Sequence, residues 1–447
     1  MILAGLNVAR INFSHCNHCD AEKIISWIKE LNAELNTHVA VLGDLCGPKL
    51  RVGNVLSDNI ISSENNPVLQ NGTLDSDKNN IYIDYAEVSE DVKVGDKILL
   101  DDGRIILRAK AIQNKKITCS VLQGGTLSSN KGVNLPNTKI SLPTITKKDL
   151  SDIFFCVQKN IEWIALSFVR TDKDIIALKN ILKEHNGRCQ VIAKIEKPEA
   201  IKNLKSIISQ ADALMVARGD LGVEVPPQKV PVLQKKIVRA SRKKAKPVII
   251  ATQMMESMIN SLTATRAEVN DVANSVMDGA DAVMLSGETS VGEYPIQVIQ
   301  AMSSIICSVE NSDLISVPQK PPNIRTVRFI TKSICYHAVH IANDVKAKAI
   351  CTLTNSGYTA FQVSAWRPNS YILVFTSNKR ILTQLNLIWG VKAFFYDSFE
   401  STDKTVEQIN EIAKKSGYVE NGDLMVNLTA MPIDEKGMVN TLRVSTI

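Results

Sequence analysis

The chain has 447 residues, is 45% hydrophobic and 22% charged, and carries a formal charge of only +6. That length is too great for one compact core and sufficient for two or three domains, and so small a net charge for this length gives little support to a generally basic nucleic-acid binder. With no apolar run of 18 residues and no basic leader before an apolar core, neither a membrane span nor export is expected, which places the protein in the cytoplasm. Nine cysteines, odd in number and without framework spacing, are expected as free thiols in a reducing compartment. His15, Cys16, His18 and Cys19 offer zinc ligands, but a second ligand pair at finger-like distance is lacking.

Apolar segments recur at 7–13 (NVARINF), 39–45 (VAVLGDL), 163–168 (WIALSF), 190–195, 213–217, 247–252 (PVIIAT) and 282–286 (AVMLS), with helical patterns between them. Such runs predict parallel strands buried on both faces, and hence a (β/α)8 barrel. Seven strands are counted where eight are needed; the first is expected ahead of residue 7 and is missing from the chain. A form extended upstream is therefore expected to be more active and more stable. Nearly every strand ends in polar residues: Asn12 and Ser14, Asp44, Ser167 and Arg170, Lys194 and Glu196, Arg218 and Asp220, Thr252 and Gln253, Ser286 and Glu288. In a βα barrel that rim carries the active site.

Residues 54–80 are rich in Asn, Ser, Asp and Gly, and period-two runs follow (KILLDDGRIILRAKA, KKITCSVL), which predict a small antiparallel β-barrel domain inserted after the third barrel strand as a lid. The basic stretch Lys235 to Lys246 places Val230, Leu233, Ile237 and Val238 at helical spacing, so its charges are expected on the solvated face of an amphipathic helix rather than on RNA. After the break PQKPPN at 318–323, the segments AKAICTLT, YILVFTS, VKAFFYD and DLMVNLT predict a separate α/β domain. Its loop from Thr354 to Thr359 suits either a phosphate at a helix N-terminus or an ordinary turn. The expected division is 1–53 and 136–318 for the barrel, 54–135 for the lid and 319–447 for the C-terminal domain.

VIAKIEKPE at 191–199 and LMVARGDLG at 214–222 are the most informative stretches. In extended chain i and i+2 share a face, so Lys194 is expected beside Glu196 and Arg218 beside Asp220, all at one rim, with Arg218 expected to form a salt bridge that shapes the rim rather than to take part in the chemistry. Two carboxylates suit Mg²⁺, and an adjoining lysine suits stabilisation of an oxyanion or phosphoryl group.

In order and spacing, NVARINFSH, GDLCGPKLRVG, KGVNLP, IAKIEKPEA, MVARGDLGVE, ATQMMESM, TRAEVNDVAN and MLSGETSVGEYP resemble the pyruvate kinase family across nearly the whole chain. The resemblance implies phosphoryl transfer from phosphoenolpyruvate to ADP, giving pyruvate and ATP, with Mg²⁺ or Mn²⁺ as cofactor, usually in a homotetramer. It also implies residue roles. Arg10 grips the phosphoryl group, Glu196 and Asp220 hold Mg²⁺, Lys194 stabilises the enolate, Gly219 offers amides to the substrate carboxylate, and Thr252 faces the enolate. Asn12, Phe13, Ser14, His15, Arg51 and Lys131 are implied to bind the nucleotide. In potassium-activated members, residues matching Asn12, Ser14, Asp44 and the Leu45 carbonyl bind K⁺. This sequence departs from them, with Lys49 in place of their Glu and Leu45 and Cys46 in place of Thr and Lys; K⁺ is expected to be dispensable, the Lys49 ammonium taking its place.

Other departures are Ala264 for the usual Pro before Thr265, which is expected to loosen one turn, Tyr358 for Arg, and a C-terminal loop MPIDEKGM without the Trp-Arg-Pro-Gly stretch, which argue against control by fructose 1,6-bisphosphate. Three alternatives differ in class: a Mg²⁺-dependent carbon–carbon lyase, a truncated, weakly active or non-catalytic phosphometabolite-binding homologue, and a basic RNA-binding protein. Pyruvate formation that requires ADP separates the kinase from the lyase, and salt-dependent RNA retention without turnover marks the last.

Overall fold

The computed structural model describes the chain apart from residues 57–59, 137, 313, 316, 318–320, 323–327, 399–400 and 432–437. Most of the PQKPPN break and of the MPIDEKGM loop lies outside the described residues. All seven expected strands form one parallel sheet in sequence order: β1 (Val8–Asn12), β2 (Ala40–Asp44), β3 (Trp163–Leu166), β4 (Gln190–Ile195), β5 (Ala213–Ala217), β6 (Val248–Ala251) and β7 (Ala282–Met284). The curled parallel sheet with helices between its strands is a (β/α) barrel; β1 and β7 are its two edges, and among the described residues no eighth strand joins them. Burial follows from this order. β2, β3, β5 and β6 are buried at every position, whereas β7 is half-buried throughout and β1 nearly so, each having a partner on one side only.

Local sequence starts the barrel helices. Thr146 with Asp149, Thr171 with Asp174 and Thr265 with Glu268 form capping boxes, each satisfying two otherwise orphaned backbone groups. The Thr265 box is intact behind Ala264, and Glu268 also accepts from Ser257 N at 2.7 Å, so this turn is held without a proline. The helix Val230–Arg242 buries Val230, Ile237 and Val238 and exposes Lys235, Lys236 and Arg239, as its spacing predicts; Arg242 departs from that pattern and is buried.

The lid segment builds a six-stranded sheet in the order Val133–Asn134, Lys97–Leu100, Ile105–Gln113, Lys116–Gln123, Val68–Asn71, Asn80–Ile83, around its own core of Leu69, Ile81, Ile98, Leu107 and Ile117. It is not wholly antiparallel, because Val68–Asn71 and Asn80–Ile83 run parallel. Leu50 and Val52 already belong to this core. Where the chain returns to the barrel, Arg170 donates to Ile140 O (2.6 Å), Leu142 O (2.9 Å) and Thr144 Oγ1 (2.9 Å), clamping that crossing to the end of β3.

The C-terminal sheet has the order Val391–Phe395, Tyr371–Thr376, Ala349–Leu353, Leu424–Thr429, Thr441–Thr446. Its first four strands are the expected parallel ones; the fifth, antiparallel strand was not foreseen, because its alternation is brief and terminal. This domain closes the base of the barrel. Leu387, 2% exposed, packs among Ala40, Leu42, Trp163, Met215 and Ile249 of the barrel interior. Around it Arg380 Nη2 donates to Ile161 O (2.8 Å), Thr383 Oγ1 to Glu162 Oε1 (3.0 Å) and Arg367 Nη2 to Gly279 O (2.8 Å), and Asn386 donates to His38 O.

Candidate active site

The carboxyl ends of the strands bring most of the expected rim residues together around Lys194, which projects from the end of β4. Its Nζ lies 3.1 Å from Asp44 Oδ1 and 3.0 Å from Glu196 Oε1, and donates to Ser167 Oγ at 2.8 Å. Ser167 donates in turn to Leu45 O at 2.7 Å. Asp44, 1% exposed, also accepts from Arg10 Nε at 2.7 Å, which ties β1, β2 and β4 into one charged cluster. Glu196, equally buried, accepts from Phe168 N at 2.7 Å through Oε2; Phe168 adopts φ +55° to present that amide.

Electrostatics holds the cluster in a defined charge state. Burial opposes the Lys194 charge, but Asp44, Glu196 and Asp220 outweigh it and raise its pKa above the ordinary lysine value. Burial also opposes ionisation of Asp44, yet Lys194 and Arg10 hold its carboxyl below the usual range. Glu196 is pushed up, first by burial and then by the neighbouring Asp220, against the pull of Lys194. Glu196, a buried carboxylate whose ionisation is opposed by burial and by a neighbouring acid, is suited to an added cation.

The expected pairing of Arg218 with Asp220 does not occur. β5 ends at Ala217, and Arg218–Glu224 is a helix, in which i and i+2 point to nearly opposite sides. Arg218 instead binds Asp271 Oδ1 (2.6 Å) and Thr252 O (2.8 Å), a structural clamp on the neighbouring loop, while Asp220 faces the cleft beneath the lid. In that loop Thr252 and Gln253 take φ of +69° and +54°, a conformation that costs a β-branched residue about 1–3 kcal/mol and commonly marks a functional constraint. Thr252 Oγ1 accepts from Gly219 N at 2.9 Å, and a Cβ on Gly219 would lie 3.0 Å from that oxygen.

The remaining expected residues sit further out. Asn12 Oδ1 accepts from Ser14 N (3.1 Å), His15 is exposed, and Phe13 is 1% exposed in the core; its amide donates to Asp44 O (3.0 Å) and its carbonyl accepts from Lys148 Nζ (2.7 Å), leaving only the second lone pair of that carbonyl for a ligand. In the lid, Arg51 donates to Asn130 O (2.9 Å) and Lys131 Nζ pairs with Asp101 at 2.9 Å. Lys49 is exposed and lines the cleft under the lid together with Phe168, Lys197 and Asp220. His18 is bound to Asp152 (2.8 Å) and stacked on Phe155, and among the described residues no three His, Cys, Asp or Glu side chains gather as a metal site. In the C-terminal loop Gly357 N and Tyr358 N already find Thr354 Oγ1 (3.0 Å) and Ser356 Oγ (3.4 Å), the local bonding of a turn. Sequence reasoning missed the bridging part of Ser167 and the partners of Lys197; only their positions at strand ends signalled them.

Comparison with known proteins agrees with this fold. The family model "Pyruvate kinase, barrel domain" matches residues 1–299 and "Pyruvate kinase, alpha/beta domain" matches 332–445. Pyruvate kinases of Staphylococcus aureus strains MRSA252 and USA300 are 40% identical over 455 aligned positions, covering 100% of this chain and 77% of theirs. The crystal structure of a pyruvate kinase from Cryptosporidium parvum superposes with a TM-score of 0.91 at 33% identity, covering 100% of this chain and 92% of that one. Neither the lyase nor the non-catalytic alternative is favoured by a match that spans the whole of this chain. The chain therefore belongs to the pyruvate kinase family.

Proposed function

We propose that the cluster around Lys194 is where this chain carries out its family's reaction, and that its residues divide the work as follows. The reaction is transfer of the phosphoryl group of phosphoenolpyruvate to ADP, giving pyruvate and ATP. The observation that carries the assignment is the Lys194 ammonium, held between Asp44, Glu196 and Ser167 at the carboxyl rim of the barrel. There it stabilises the enolate oxygen that develops as the phosphoryl group departs. Arg10 is oriented through Nε by Asp44, which leaves its terminal nitrogens to grip the phosphoryl oxygens. Gly219 brings backbone close to the substrate carboxylate, and the Thr252 hydroxyl, already accepting from Gly219, turns its own proton toward the enolate face.

Glu196 and Asp220 fit Mg²⁺ or Mn²⁺. They are two hard oxygen donors at one rim, and Mg²⁺ is commonly held by one or two carboxylates with the rest of its shell from substrate and water. When bound, the ion neutralises charge on the substrate oxygens. Asn12 to His15, Arg51 and Lys131 serve the nucleotide, Phe13 through its backbone. The residues equivalent to a K⁺ site are Asn12, Ser14, Asp44 and the Leu45 carbonyl. Asn12 Oδ1 is bonded by Ser14 N, Asp44 by Arg10, and the Leu45 carbonyl by Ser167, which supports a site that works without K⁺, Lys49 supplying the charge.

We place the domains at 1–53 and 136–318 (barrel), 54–135 (lid) and 319–447, and expect a cytoplasmic homotetramer. No described helix is long and apolar enough to cross a membrane. Coupling pyruvate release to lactate dehydrogenase tests the function, which requires turnover strictly dependent on ADP; ADP-independent pyruvate would point to lyase chemistry. Repeating the assay in potassium-free tetramethylammonium buffer tests Lys49: full activity is expected, and absolute dependence on added K⁺ would sink its role.

A further inference from the structure

Beside the two candidate metal carboxylates lies a buried ion pair that the reaction as described does not use. Lys197 Nζ donates to Glu224 Oε1 at 2.7 Å, the side chains being 8% and 1% exposed. Lys197 directly follows Glu196. Glu224 follows Asp220 by one helical turn on the same face of the helix Arg218–Glu224. The pair therefore joins the two backbone segments that carry Glu196 and Asp220. The same Glu224 oxygen accepts from Asn134 Nδ2 at 2.8 Å, and Asn134 belongs to the lid strand Val133–Asn134. Lys197 Nζ also lies 5.9 Å from the centre of the Phe168 ring, whose residue donates its amide to Glu196. Asn134, Phe168, Lys197 and Asp220 line one cleft of about 30 Å³ between lid and barrel.

A buried ion pair is seldom more stabilising than a well-packed apolar pair of the same volume, because desolvation offsets the attraction. Here the cost is higher still, since Glu224 Oε2 is buried without a hydrogen-bond partner among the described residues. What the pair supplies, and an apolar contact does not, is a fixed direction and length between two strand ends.

We propose that Lys197 and Glu224 are positioning residues for the reaction: their ion pair sets the spacing of Glu196 and Asp220, and Asn134 couples that spacing to the lid. This rests on the reading of Glu196 and Asp220 as the metal carboxylates.

Mn²⁺ binding in the presence of phosphoenolpyruvate, followed on the full chain by the electron paramagnetic resonance of free Mn²⁺, tests it without turnover. D220N examines the underlying reading: unchanged Mn²⁺ affinity in D220N removes that reading, whatever the other variants do. Given loss in D220N, the double substitution K197M/E224M is expected to melt close to the unsubstituted protein while binding Mn²⁺ at least about tenfold more weakly, the size typical of a lost outer-shell partner. Equal Mn²⁺ affinity in a folded double variant overturns the proposal and leaves the pair a packing feature. E224Q keeps the size but removes the charge that makes the contact an ion pair, and serves if the double variant does not fold: about tenfold weaker Mn²⁺ binding supports the proposal, and unchanged binding overturns it. N134A is expected to raise the KM for ADP about threefold at unchanged melting temperature, the scale of one lost hydrogen bond. An unchanged KM for ADP would overturn the coupling to the lid.

Discussion

Lys194 holds its proton because three carboxylates outnumber the burial penalty, and that makes it a fixed positive charge rather than a proton shuttle. Removing it has a separable consequence. K194M is expected to lower kcat by about 10²–10³-fold or more, with the KM for phosphoenolpyruvate changed little, since in the role proposed for it the ammonium acts on charge that appears only in the transition state. A KM effect with kcat unchanged, measured in the steady-state assay, would move Lys194 from enolate stabilisation to ground-state binding. At this scale the sequence spoke clearly for Lys194 and Glu196, which alternate within and just past one strand. It was silent on Ser167, because nothing in a strand-end serine foretells that it bridges Lys194 to Leu45 O.

The helix Arg218–Glu224 shows how an element redistributes neighbours. Arg218 and Asp220, read as extended chain, share a face and pair. Because the strand stops at Ala217, a helical turn instead sends Arg218 to Asp271 and the Thr252 carbonyl. The start of that helix is also tight against the neighbouring loop. In G219A the new methyl would sit 3.0 Å from Thr252 Oγ1 and push apart the 2.9 Å bond from Gly219 N. The expected outcome is a KM for phosphoenolpyruvate raised about tenfold, roughly one hydrogen bond, with little loss of thermal stability. A fall in melting temperature with unaltered KM would make this contact structural instead.

For the molecule as a whole, the C-terminal domain acts as the floor of the barrel. Leu387 enters a core otherwise made by barrel strands. L387A is expected to cost about 2–5 kcal/mol in urea denaturation, the range for a leucine truncated in a closed core. A loss below about 1 kcal/mol would mean that the floor is not sealed there. Glu162 stands at the same joint, accepting from Val41 N (2.8 Å) and Thr383 Oγ1 (3.0 Å), and burial raises its pKa despite those bonds. A folded-state pKa above the unfolded one means that the native state binds the extra proton, so stability is greatest below the ordinary glutamate value of about 4.3 and declines as pH rises through the raised value. E162Q is expected to lack that decline. Urea midpoints of both proteins measured from pH 4 upward check this, and parallel curves would exclude Glu162 as its source.

The sequence by itself determined the architecture, the run of seven parallel strands, the inserted lid and the C-terminal α/β unit, because apolar periodicity and capping residues act locally along the chain. It also determined which residue types stand at the strand ends. Only the tertiary structure decided which of them meet: that Asp44 joins Arg10 to Lys194, that Arg218 leaves the cluster, that Phe13 is core, and that Lys197, Glu224 and Asn134 link barrel to lid. Those contacts join residues tens of positions apart, and their partners are set by strand register and by where each strand gives way to a helix, which no local pattern records.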